Sequence, residues 1–158
     1  MKDEQKKAQR NPEDFISDLK FFKSNKLSVN QSVAFFAGLS FELILNKKIF
    51  PRNIDLEIFL NEVYLKHNKK PEDQTFKQYL YKSRTQLGAR LTRNILDEFD
   101  YVIVKKISND IEEILLAMFP EMIKSNTIKY NSSFSKGINS WINAISMSNK
   151  SEKETNNE

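Results

Sequence analysis

Three of the five arginines in this chain, Arg84, Arg90 and Arg93, lie within ten residues of one another, in a sequence that otherwise relies on lysine. A guanidinium presents a planar fork of N–H donors that matches phosphate oxygens, so a row of them along one helix can hold a phosphate backbone. Stepping about 100° per residue from Leu80, the residues Lys82, Gln86, Arg90 and Arg93 fall between about 200° and 280°, one polar and basic face. Lys47, Lys48, Arg52, Lys69 and Lys70 stand in neighbouring loop sequence and would widen the patch. Charge is also segregated along the chain. From Lys47 to Arg93 there are eleven Lys/Arg against five Asp/Glu, and from Asp97 to Glu121 two against seven. A basic block of this kind is expected to face a polyanion, DNA or RNA.

Arg84 falls elsewhere, at about 40°, beside Leu80, Leu87, Leu91 and Ile95. An arginine aimed at a core needs a partner. The apolar stretch before it carries a single carboxylate, Glu42, and a buried Arg84–Glu42 ion pair is the expected solution. That stretch, LSVNQSVAFFAGLSFELI, resembles the bacterial helix-turn-helix pattern. Val33 and Ala34 stand where the first helix packs, Gly38 at the turn, and Leu39, Ser40 and Ile44 in the positions that follow. The resemblance implies a DNA reader over about 20 residues. The recognition helix it implies would present Phe41, Glu42, Leu45 and Asn46, whereas base edges are read by Arg, Lys, Asn or Gln. Lys47 stands where an apolar residue is usual. The segment is therefore read as a core helix.

Other chemistries find little support. With no cysteine and one histidine, thiolate zinc sites, cysteine nucleophiles and multi-histidine metal centres are excluded. His67 has no acid at a useful spacing and is expected to face solvent. The acidic groups Asp97/Glu98/Asp100 and Asp110/Glu112/Glu113 lack the glycine-turned loop of a calcium site. The three glycines are isolated, so no phosphate-cradling loop exists. No enzyme activity, cofactor or metal is expected.

The elements that must position these residues are helices. Three glycines and four prolines cannot supply the turns of a strand-rich fold. Asn11 followed by Pro12, Glu13 and Asp14 starts one helix. Ser28 and Gln31 form a capping box that opens a second, apolar on nearly all sides and so central. Asn53 caps a third, to about Lys66. Ser83 and Gln86 open the fourth, which runs to about Phe99. YVIVKKI, 101–107, is rich in β-branched residues but has no partner strand; it is expected to be helical or extended, with Ser108 capping a fifth helix. Phe134, Ile138, Trp141, Ile142 and Ile145 recur at helical spacing. An amphipathic helix carrying the only tryptophan suggests docking on a protein partner or a second copy of the chain.

The expected fold is all-α: one compact bundle of five to six helices around an apolar central helix. Residues 1–10 are assigned to a disordered arm, 11–125 to the helical domain, 126–147 to a linker and amphipathic helix, and 148–158 to a disordered tail. The charged opening MKDEQKKAQR has no apolar stretch, so no signal peptide and no membrane association are expected, and the protein is placed in the cytoplasm. Two functions fit these features. One is a non-catalytic accessory or regulatory protein that contacts a nucleic-acid backbone through the basic helix face. The other is a helical adaptor or inhibitor, of the type frequent in phages, plasmids and defence systems, acting through its C-terminal helix.

Overall fold

The computed structural model describes residues 9–125 and 140–145. Among them every regular element is helical. The five α-helices are α1 (Pro12–Lys23), α2 (Val29–Leu45), α3 (Asn53–Val63), α4 (Arg84–Glu98) and α5 (Tyr101–Met118). Short 3-10 turns join α3 to α4, one follows α5, and a further helical segment spans 140–145. No described helix is long and apolar enough to cross a membrane.

Local chemistry sets the helix starts. The Asn11 N–H donates to Asp14 Oδ2 at 2.9 Å, and Pro12 occupies the first turn of α1. Asn25, just beyond α1, takes a left-handed conformation (φ 62°), which asparagine tolerates better than most residues. At α2 the Ser28 Oγ accepts from the Gln31 N–H while Gln31 Oε1 accepts from the Ser28 N–H, the reciprocal box that the spacing predicts.

α2 is the middle of the bundle. Its most extensive contact is with α4, and it also packs on α1 and α5. One charged residue in its 17 makes this placement possible. Phe36, Leu43 and Ile44 are fully buried, among Phe15, Phe22, Leu60, Leu87, Leu91 and Ile111 of the common core. Of its two buried serines, Ser32 and Ser40, the latter's Oγ accepts from the fully buried Tyr64 OH at 2.8 Å, so neither of these two hydroxyls is left unsatisfied. α4 comes close because of Gly88: a Cβ there would stand 2.9 Å from the Phe41 ring.

The helix-turn-helix pattern does not materialise. α2 runs unbroken through Gly38, and the would-be reading residues are otherwise engaged. Phe41 fills the space over Gly88. Asn46 is buried at the end of α2, where its Oδ1 accepts from the N–H groups of Lys48 and Ile49 and its Nδ2 donates to Arg10 O.

Three boundaries differ from expectation. Asn53 is the first residue of α3 and not its cap, which is Arg52; the Asn53 Oδ1 accepts from Arg84 instead. α3 ends at Val63, and the chain continues as a 3-10 turn, Leu65–His67. α5 starts at Tyr101, so YVIVKKI is its first two turns. Asp100 is the cap, its Oδ1 accepting from the Ile103 N–H at 2.9 Å, and Ser108 is buried in mid-helix. The weak β-preference of this segment yields to the burial of Val104, Ile107, Ile111 and Ile114 along one side of a single helix.

Residues 9 and 10, assigned by sequence to the arm, are tied to the bundle. Arg10 pairs with Asp18 at 2.6 Å and with Glu42 at 2.8 Å, and its guanidinium lies 4.9 Å from the centre of the Phe15 ring.

Candidate nucleic-acid interface

α4 begins where Ser83 takes an extended conformation and its Oγ accepts from the Gln86 N–H at 3.3 Å. The preceding segment is not a continuation of that helix but a separate 3-10 turn, Gln78–Lys82, anchored by buried Leu80 and Tyr81. From the Ser83 cap onward, Leu87, Leu91 and Ile95 turn into the core, and Gln86, Arg90 and Arg93 turn out. Lys82 is exposed just before the cap. The four residues of the basic stripe are thus all solvent-facing.

Two of these cations have neighbours that steady them without burying them. The Arg90 guanidinium lies 5.9 Å from the centre of the Phe76 ring, a cation–π contact that leaves its N–H fork free. Arg93 meets Asp97 one turn on at 3.5 Å, with both side chains more than half exposed. An exposed pair of this type contributes about 0–1 kcal/mol, little enough for a phosphate to displace it.

The structure brings the flanking basic loops to opposite ends of α4. Lys47 and Lys48 lie in the turn after α2, whose carbonyls at Ile44 and Phe50 both accept from Arg84. Lys69 and Lys70 follow Asn68, which exchanges two amide hydrogen bonds with Asn94 at 3.0 and 3.1 Å. Arg84 and Asn94 are ten residues apart, about 15 Å along the helix. Lys47, Lys69 and Lys70 are exposed. Lys48 reaches Gln9 O and Asn11 Oδ1, both at 3.4 Å. Arg52 is engaged by Asp55 through two hydrogen bonds of 3.2 and 2.9 Å, and so has less to offer a phosphate.

The expected Arg84–Glu42 pair does not form. Glu42 belongs to Arg10. Arg84 donates instead from Nε to Asn53 Oδ1 (2.9 Å), from Nη1 to Ile44 O (3.2 Å) and from Nη2 to Phe50 O (2.6 Å). Arg84 stands in the first turn of α4, the turn that the Ser83 cap opens, on the side of Leu87 and Leu91. There it meets the carbonyl end of α2, where a cation is favoured.

The C-terminal face expected to receive a partner is turned inward. Trp141 (6% exposed), Ile142 and Ile145 are buried. The indole lies near-parallel to the Phe50 ring (6.1 Å, 11°) and against Phe59 (6.2 Å), and its Nε1–H donates to Asp55 Oδ1 at 3.3 Å. Phe134 and Ile138 lie outside the described residues.

His67, expected in solvent, is half-buried, with its ring edge-on to Phe99 at 6.3 Å and Nε2 without a hydrogen-bond partner among the described residues. Burial holds its pKa below the ordinary 6.5, and Lys66 and Lys106 add to that. The unfolded chain therefore takes up this proton first. The associated stability is complete above the unfolded value and is lost as pH falls through the folded one. Asp110 and Glu113, whose pKa values burial raises, act in the opposite sense on acidification. Urea titrations from about pH 7 to about pH 5 should show a steeper loss of stability in the wild type than in His67→Gln. Parallel losses would contradict this assignment.

Three of the six acidic residues have structural partners, while Glu113 Oε2 is buried without a hydrogen-bond partner among the described residues. Asp97 pairs with Arg93, Asp100 caps α5, and Glu112 pairs with Lys23. Among the described residues no three His, Asp or Glu side chains converge as metal ligands would.

No family model, curated protein or solved structure matches this chain.

Proposed function

We propose that this chain is a non-catalytic nucleic-acid-associated accessory protein that holds a phosphate backbone against the outer face of α4. The observation that carries this reading is the joint exposure of Gln86, Arg90 and Arg93 along α4, with Lys82 exposed just before its cap and lysine-bearing loops at either end of the helix. Arg90 and Arg93 are the principal phosphate ligands in this reading, and Lys82, Lys47, Lys69 and Lys70 add long-range attraction. Contacts to phosphate alone supply affinity without sequence preference. The alternative, a protein adaptor acting through 134–145, is less favoured because Trp141, Ile142 and Ile145 are buried on their own chain.

Fluorescence anisotropy with labelled oligonucleotides, as a function of salt, tests the reading. Binding should weaken steeply as salt rises. The double variant Arg90→Glu, Arg93→Glu should bind about 100-fold more weakly at low salt, with a log–log salt slope smaller by about 2. Both side chains are exposed, so its thermal melt should match that of the wild type to within a few degrees, an effect of about 0.5 kcal/mol. Wild-type protein that binds no oligonucleotide at low salt would overturn the proposal.

A further inference from the structure

Seven large apolar or aromatic side chains are exposed on the described surface, and two of them are aromatic. Phe21 rests against Phe35, with ring centres 5.5 Å apart. Tyr79 is 59% exposed and has no ring partner among the described residues. It sits between Lys77 and Lys82, both exposed, on the 3-10 turn Gln78–Lys82.

That turn fixes where the ring points. A 3-10 helix has three residues per turn, so residues i and i+3 eclipse. Tyr79 and Lys82 therefore share one side, while Leu80 and Tyr81 are buried and hold the turn in place. Gln78 is held separately, its Nε2 donating to Glu57 Oε1 at 2.7 Å. Phe76, three residues before Tyr79, lies under the Arg90 guanidinium. The segment carrying Tyr79 thus borders the basic face of α4, with a ring open to solvent beside a run of cations.

We infer that the Tyr79 ring is a stacking platform and that this surface takes single-stranded nucleic acid, a base lying on Tyr79 while Lys82, Arg90 and Arg93 hold the flanking phosphates. The inference rests on the proposed phosphate-binding role of α4. A duplex keeps its base faces stacked inside and can offer Tyr79 nothing but backbone. An unpaired base has a free π-face, and stacking on a protein aromatic is tolerant of sequence.

The test compares a short labelled oligo(dT), an oligo(U) and a mixed-sequence DNA duplex of equal length. Wild-type protein should prefer the single strands. Tyr79→Ala should weaken single-strand binding about tenfold and leave duplex binding unchanged, and Tyr79→Phe should keep the affinity of the wild type. The oligo(dT) and oligo(U) arms distinguish DNA from RNA. No single-strand preference, or a Tyr79→Ala variant that binds single strands like the wild type, overturns the inference. In either case duplex binding lost in the Arg90→Glu, Arg93→Glu variant leaves the phosphate-binding proposal standing. Absence of binding to all three probes overturns both.

Discussion

Arg84→Ala is expected to lower the stability of the chain by about 3 kcal/mol, read as a lower urea midpoint at unchanged m-value. The guanidinium joins three parts of the chain: the last turn of α2 through Ile44 O, the loop before α3 through Phe50 O, and the start of α3 through Asn53 Oδ1. Hydrogen bonds from a charged donor contribute about 1.5–3 kcal/mol each, and more than one is lost together. Part of that is recovered where water reaches the freed carbonyls, since Arg84 is only half-buried. Burial lowers the pKa of Arg84 and nearby Asp55 opposes this, so the side chain stays charged at any working pH. Arg84→Lys should recover little, because one ammonium cannot span three acceptors set around a planar fork. Glu42→Ala should cost far less than Arg84→Ala, since its partner is the half-exposed Arg10. Equal losses for the two would revive a direct Arg84–Glu42 pair.

Trp141→Ala is expected to cost a further amount of about 3 kcal/mol. The indole covers Phe50 and Phe59 and satisfies one oxygen of Asp55, whose other contacts come from Arg52. Removing it deletes a large buried surface and re-exposes two rings that are otherwise fully covered. Trp141→Phe should keep most of the packing and lose about 1 kcal/mol with the N–H donor. As the only tryptophan, Trp141 also reports its own docking by fluorescence. Asp55→Ala should shift its emission to the red as the anchor is lost. An Asp55→Ala spectrum identical to that of the wild type would mean that apolar contact alone holds the segment. Arg84 and Trp141 meet at the same corner, one through the Phe50 carbonyl and the other through the Phe50 ring. Their double variant should therefore depart from additivity by more than about 0.5 kcal/mol.

Much of the fold is legible in short-range pattern. The starts of α1, α2 and α4 follow from Asn11–Pro12, Ser28–Gln31 and Ser83, because a cap is made by residues two or three apart. The central place of α2 follows from its single charge. The start of α5 was also readable, in the i, i+3/i+4 spacing of Val104, Ile107, Ile111 and Ile114, which runs back through the segment taken by itself as strand-like. Of the candidate interface, the exposure of Gln86, Arg90 and Arg93 follows from their distance around the helix from Leu87 and Leu91, whereas Lys82 is exposed on the 3-10 turn before it. Tyr79 was not singled out, because a ring in an apolar-rich stretch reads as core until its neighbours are known to fill the core without it.

By itself, then, the sequence determined an all-α bundle, which helix lies at its centre and which side of α4 faces water. Each of these depends on residues within a turn or two of one another. Only the tertiary structure decided that Arg84 meets Ile44, Phe50 and Asn53 rather than Glu42, that Trp141 folds back onto Asp55, and that Tyr79 is left exposed while Leu80 and Tyr81 are buried. Those partners are 31 to 86 residues apart for Arg84 and Trp141, and Glu42 is held by Arg10, 32 residues before it. Long-range pairing depends on how several helices settle against one another at once, which no local spacing encodes.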